Sequence, residues 1–176
     1  MNTTFKLGRL AGLELSARSS ALAGSVLLWV IFSAIGIGLL NVSFAVALVA
    51  SLIAVALHWV SEILHNLGHA WAARRTSYPM IGVQLWGVLS MSVYPVDEPP
   101  LPARVHIQRA LGGPFGSLLV TVAAGALMLA LRSAGGVGWW LALFLFLDNL
   151  LVFTLGALLP LGFTDGSTIL YWWGRR

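Results

Sequence analysis

The sequence predicts an integral membrane protein, mainly α-helical, with four spans and a small β-hairpin. Three observations predict it. Hydrophobic residues make up 59% of the 176 and charged residues only 9%, whereas a soluble domain carries about 25% charged residues. Four apolar runs are each long enough to cross a hydrocarbon core about 30 Å thick. The only long polar connection, residues 76–109, contains a period-two alternation of apolar and polar side chains.

Taken in order, residues 1–20 are mostly polar and carry Lys6, Arg9 and Arg18. They are expected to form a cytoplasmic N-terminal segment. The apolar run behind them, about residues 21–40, has bilayer length and reads as a retained span rather than a cleaved signal. Asn41 and Ser43 make a break. A second run covers about residues 44–73 and ends at Arg74-Arg75. It is too long to lie wholly in hydrocarbon, so its last turns need shelter from protein or must emerge into the interface.

Residues 81–86 and 88–94 read as short strands around Gly87, because Leu89, Met91 and Val93 alternate with Ser90 and Ser92. Pro95, Pro99, Pro100 and Pro102 then forbid regular structure. The third span is expected over about residues 110–131 and the fourth over about residues 139–159, with a Gly-rich turn between them. A loop at 160–166 leads into a short amphipathic tail that ends in Arg175-Arg176. Residues 21–176 thus form one membrane domain, without an internal repeat.

The net charge of +4 does not indicate nucleic acid. The basic residues stand singly or in pairs at the ends of apolar runs, as anchors to the lipid bilayer. Nine of the ten Lys and Arg fall on one side of a four-span topology, and only Arg132 falls on the other. The positive-inside rule places both termini and the hairpin in the cytoplasm. The expected location is a bacterial plasma membrane. With no cysteine, disulfides, thiolate metal sites and cysteine nucleophiles are excluded.

The most informative stretch is Leu64-His65-Asn66-Leu67-Gly68-His69. Two histidines four apart share one helix face and can grip a single metal ion. Counting about 1.5 Å per residue, His69 lies about 7 Å and His65 about 13 Å from Arg74 along the helix. An ionisable pair at that depth is a functional hypothesis by default. A catalytic zinc site needs a third protein ligand. Asp165 is the natural candidate, because the topology returns residues 160–166 to the membrane side where the second span ends. In the zinc-peptidase motif, Glu follows the first His as general base. Here Asn66 stands in that position, and an amide cannot shuttle a proton.

The chain resembles the site-2 proteases, the intramembrane zinc metalloproteases. Three elements carry the resemblance. His65-Asn66-Leu67-Gly68-His69-Ala70 with Ala73-Arg74-Arg75 is similar to the family's HELGHA…AR signature. Ala110-Leu111-Gly112-Gly113-Pro114 is similar to its Ala-Gly-Pro turn, and Leu159-Pro160 with Asp165-Gly166 is similar to its LLP…DG motif. The resemblance implies a site-2-protease-like core, one zinc ion as cofactor and His65, His69 and Asp165 as its ligands. It also implies that the hairpin receives substrate as an added strand.

The departures are Asn66 for the general base, Ser117 where the family often has Asn, and Ala157 where an Asn usually precedes Leu-Leu-Pro. All three ligands remain, so the expected function is a catalytically degenerate zinc-binding protein. It would bind a transmembrane segment or serve as a subunit of a larger membrane complex.

Two alternatives stay open. One is an active intramembrane metalloprotease, with Glu62 as a displaced base. The other is a metal-free structural or pigment-binding subunit. Glu62, one turn before Asn66, is otherwise expected to hydrogen-bond a ligand as an outer-shell carboxylate. His58 extends the same stripe and is expected to pack within the bundle with a hydrogen bond, or to act as an alternative ligand. Asp148-Asn149 are expected to bond between helices, and His106 is an interfacial histidine.

Overall fold

The computed structural model describes residues 3–175. Met1, Asn2 and Arg176, the last of which enters the charge count, lie outside the described residues. In chain order the elements are β1 (Thr4–Leu10), β2 (Leu13–Arg18), α1 (Ser19–Gly38), α2 (Phe44–Arg75), β3 (Gly82–Trp86), β4 (Leu89–Val93), α3 (Ala103–Ala130), α4 (Gly136–Leu147) and α5 (Asp165–Trp173). α4 runs on as a π-helix over Asp148–Leu155 and a 3-10 turn over Gly156–Leu158. Among the described residues, four helical stretches are long and apolar enough to cross a membrane: Ser19–Gly38, Phe44–Arg75, Ala103–Ala130 and Gly136–Leu158. Large apolar side chains such as Leu22, Val26 and Val30 point outward along α1, as lipid-facing residues must. The chain is an integral membrane protein, mainly helical, with a small sheet.

That sheet has four strands, in the order β1-β2-β3-β4. The hairpin of β3 and β4 falls at the residues expected. β1 and β2 come from the N-terminal segment, which the sequence reading left without regular structure. Leu13, Leu15 and Ala17 alternate there with Glu14, Ser16 and Arg18. Ala11 and Gly12, both at positive φ, make the tight turn that a two-residue hairpin favours. β2 pairs in parallel with β3, with Leu15 opposite Val83. Leu13 and Val83 are almost fully buried with Ala70, Ala73 and Met80, and Leu67 packs against them. The sheet therefore seats on the last turns of α2 and shelters the part too long for hydrocarbon.

α3 begins at Ala103, seven residues before the expected start at 110. Pro102 caps it in an extended conformation. Its first two turns are polar in composition yet bury Val105, Ile107 and Arg109, so tertiary packing overrides the hydropathy signal.

Gly68 on α2 and Gly112 on α3 meet where these helices cross. A Cβ on Gly68 would stand 2.3 Å from the Gly112 carbonyl oxygen, and one on Gly112 would stand 2.5 Å from that of Gly68. Bare glycine backbone is what lets the two helices come this close.

The π-helix faces α2 with two buried polar residues. Asp148 pairs with His58 (Nδ1 to Oδ2 3.2 Å), and Asn149 donates to the Ser61 hydroxyl at 2.8 Å. His58 → Ala is expected to destabilise by about 3–5 kcal/mol, because it strands the Asp148 carboxylate in the bundle. The paired change His58 → Leu with Asp148 → Leu should recover most of that loss. Thermal unfolding of the purified variants in detergent checks both outcomes.

Candidate metal centre

His65 and His69 sit one turn apart on α2, and their Nε2 atoms approach to 3.0 Å. Asp165 opens α5 and closes the triangle, with its carboxylate oxygens 3.3 Å from His65 Nε2 and 3.4 Å from His69 Nε2. Gly166 positions that carboxylate. A Cβ there would stand 2.0 Å from the Leu158 carbonyl oxygen, so glycine lets α5 dock against the end of the fourth span. Burial acts to raise the Asp165 carboxyl, but the facing imidazoles of His69 and His65 outweigh it and hold it below the usual carboxylate range.

The remaining ring nitrogens are already committed. His69 Nδ1 lies 2.8 Å from the Arg109 carbonyl and His65 Nδ1 lies 2.9 Å from the Ser117 hydroxyl. With Nδ1 of His69 donating to a carbonyl, its Nε2 is left free to bind a metal. The three donor atoms all lie within 4.8 Å of one another. Tetrahedral ligation at about 2.0–2.1 Å sets donors about 3.3 Å apart, close to the separations found. The residues present therefore fit a small tetrahedral ion.

α3 frames this triangle with one stripe, at spacings of four: Arg109, Gly113 and Ser117. The sequence reading places Gly113 in a family-like turn and Ser117 as a departure, and it misses that Ser117 and the Arg109 carbonyl orient the two imidazoles. The spacing 109, 113, 117 was the available signal. A Cβ on Gly113 would stand 2.3 Å from His69 Nε2 and 2.5 Å from His65 Nε2, so this glycine leaves open the space between the two donors. Phe153 of the π-helix packs its ring 5.3 Å from that of His58 and 5.9 Å from that of His65, which separates these two histidines.

Asn66 and Glu62 turn toward β4. The Asn66 amide donates to the Ser90 hydroxyl at 2.6 Å and accepts from that of Ser92 at 2.9 Å. The Glu62 carboxylate accepts from the Ser90 hydroxyl. The expected bond from Glu62 to a histidine ligand is replaced by this one, because the turn that carries Glu62 lies beside the strand. His58, weighed as an alternative ligand, is instead engaged by Asp148 and by the Val88 carbonyl at 2.9 Å. His106 stacks on Trp172 with ring centroids 4.1 Å apart.

A cavity of about 640 Å³ opens beside the triad, walled by β4, the π-helix and the loop before α5. Met91, Phe153 and Phe163 make it largely apolar, and Ala157 also lines it. At its rim Arg109 binds Glu98 at 2.5 and 3.0 Å and the Tyr78 carbonyl at 2.5 Å, beneath the Tyr94 ring at 4.1 Å. Burial pushes the Tyr94 hydroxyl up to about 12, so it stays neutral. Arg109 thus ties the Pro-rich loop to the backbone carbonyl that orients His69.

By its fold, this is a site-2-protease-like membrane protein. The fold is that of the site-2 protease from Methanocaldococcus jannaschii, with a TM-score of 0.61 at 18% identity over 96% of this chain and 70% of that one. In sequence, the whole chain is 30% identical to the protein named "Putative zinc metalloprotease Rip3" in two strains of Mycobacterium tuberculosis. The chain spans 45% of the length of these relatives. No protein-family model matches it.

Proposed function

We propose that the chain holds one zinc ion through His65, His69 and Asp165 and binds an unwound stretch of a transmembrane segment in the adjoining cavity, without hydrolysing it at an appreciable rate. The observation that carries this reading is the state of Asn66. It occupies the base position, and its amide is spent on Ser90 and Ser92. The relatives' name supports zinc as the ion, and the donor set of two imidazoles and a carboxylate suits it. A zinc ion bound there would supply Lewis acidity.

The protein's own groups do the rest. Ser117 and the Arg109 carbonyl fix the imidazole planes, and Asp165 closes the site from α5. β4 is an edge strand beside the cavity, so an extended peptide can add to it. Hydrolysis also needs proton transfer to the leaving amine, typically worth about 10²- to 10⁴-fold, and the Asn66 amide cannot perform it. The charge asymmetry supports a cytoplasmic location for both termini, the mycobacterial relatives support a bacterial membrane, and the outward apolar faces also suit assembly into a larger membrane complex.

One observation favours a second reading. The Glu62 carboxylate lines the same cavity and bonds to a neutral hydroxyl, so it is the group that would serve an active protease. The test is zinc content by mass spectrometry, followed by incubation with a transmembrane peptide in nanodiscs. About one zinc per chain is expected, lost in His65 → Ala and Asp165 → Ala, with peptide retained and uncut. Cleavage abolished by both His65 → Ala and Glu62 → Gln would establish the second reading. A metal-free chain would return the structural-subunit alternative.

A further inference from the structure

The polar face of α2 and the inner face of β4 match rung for rung. His58, Glu62 and Asn66 stand four residues apart; Val88, in the turn just before β4, and Ser90 and Ser92 on it stand two apart. Four helical residues rise about 6.0 Å and two extended residues about 6.6 Å, so the two spacings stay in step. His58 Nε2 reaches the Val88 carbonyl at 2.9 Å. The Glu62 carboxylate takes the Ser90 hydroxyl. Asn66 bridges Ser90 and Ser92, and also donates to the Glu62 carbonyl at 2.9 Å.

With the Glu62 carboxylate as acceptor, these bonds share one direction. A carboxylate only accepts, so Ser90 donates to Glu62 and must itself accept. Its donor is the Asn66 NH₂, which leaves the Asn66 oxygen to accept from Ser92. The chain runs Ser92 to Asn66 to Ser90 to Glu62, and in its second place the amide accepts through its oxygen and donates through its NH₂, which a carboxylate cannot do. A carboxylate at 66 would take the donor from Ser90 and put two acids on either side of one hydroxyl, with Glu62 already 3% exposed.

We infer that Asn66 is a positioning residue: its amide completes a directional hydrogen-bond ladder that fixes the edge strand β4 against the metal helix, and the ladder admits one carboxylate, at position 62. This deepens the proposed function and rests on it only in naming β4 as the edge that receives an extended peptide.

The test uses the full chain in nanodiscs. Asn66 → Ala removes the rung without adding charge, and hydrogen exchange across residues 88–93 is expected to speed up by about tenfold. Asn66 → Glu is expected to lower the melting temperature by about 5 °C. Adding Glu62 → Gln should restore it, since the pocket again holds one carboxylate. A merely space-filling role at 66 would not be rescued by a change at 62. Unchanged exchange in Asn66 → Ala, or a double variant no more stable than Asn66 → Glu, would overturn the ladder. Loss of zinc or of peptide binding by the unaltered chain would overturn the proposed function and leave the ladder standing.

Discussion

Gly113 → Ala is expected to abolish metal binding while the protein still folds. The added Cβ would lie 2.3 and 2.5 Å from the two Nε2 donors, in the space that a shared ion needs. The colliding atoms are the ends of side chains, so the backbone need not move. The imidazoles can swing aside, but only by giving up the Ser117 hydroxyl and the Arg109 carbonyl. Loss of one such outer partner typically lowers metal affinity about 10- to 100-fold, and here both go together with the vacant space. Zinc titration of the purified variant checks the affinity, and its melting curve checks the fold. A variant that retained wild-type affinity would mean that the ion lies elsewhere.

The largest effect on stability is expected at Gly68, where the collision is with backbone. A Cβ at this position meets the Gly112 carbonyl oxygen at 2.3 Å and the Gly112 carbonyl carbon at 3.0 Å. No rotamer relieves such a contact, so α2 and α3 must separate along their crossing. Overpacking in a tight core costs about 1–3 kcal/mol when side chains can shift. Gly68 → Leu should exceed that range, because the neighbour that must move is a helix. His69 follows Gly68, and Gly113 follows Gly112, so separation also pulls His65 and His69 from their partners on α3. The expected outcome is loss of the folded protein in detergent, read by size exclusion and by melting. Gly116 → Ala, whose Cβ would meet the Gly68 Cα at 3.2 Å, should be milder and serves as the graded comparison.

These two glycines mark how far the sequence reached. Four spans, the β3–β4 hairpin and the His65, His69 and Asp165 triad could be read from hydropathy, from period-two alternation and from i, i+4 spacing. Each of those signals is local or depends on topology alone. The N-terminal strands had a local signal too, in the alternation from Leu13 to Arg18. Their partner did not, because β2 pairs with β3 across a gap filled by two membrane helices. The early start of α3 was hidden because Arg109 is polar in sequence and buried in the fold, where Glu98, Tyr78 and Tyr94 engage its guanidinium.

By itself the sequence determined the membrane class, the bundle of four spans and the candidate cluster of His65, His69 and Asp165, since these follow from residue type, from topology and from the periods of helix and strand. Only the tertiary structure decided what those side chains face. Asn66 reads along the chain as a missing base, and in space as a bridge between two serines on β4. Glu62 reads as a partner for a ligand and is engaged by the strand instead. The physical reason is that hydrogen-bond direction and close backbone approach are set between elements distant in the chain, and no local pattern encodes them.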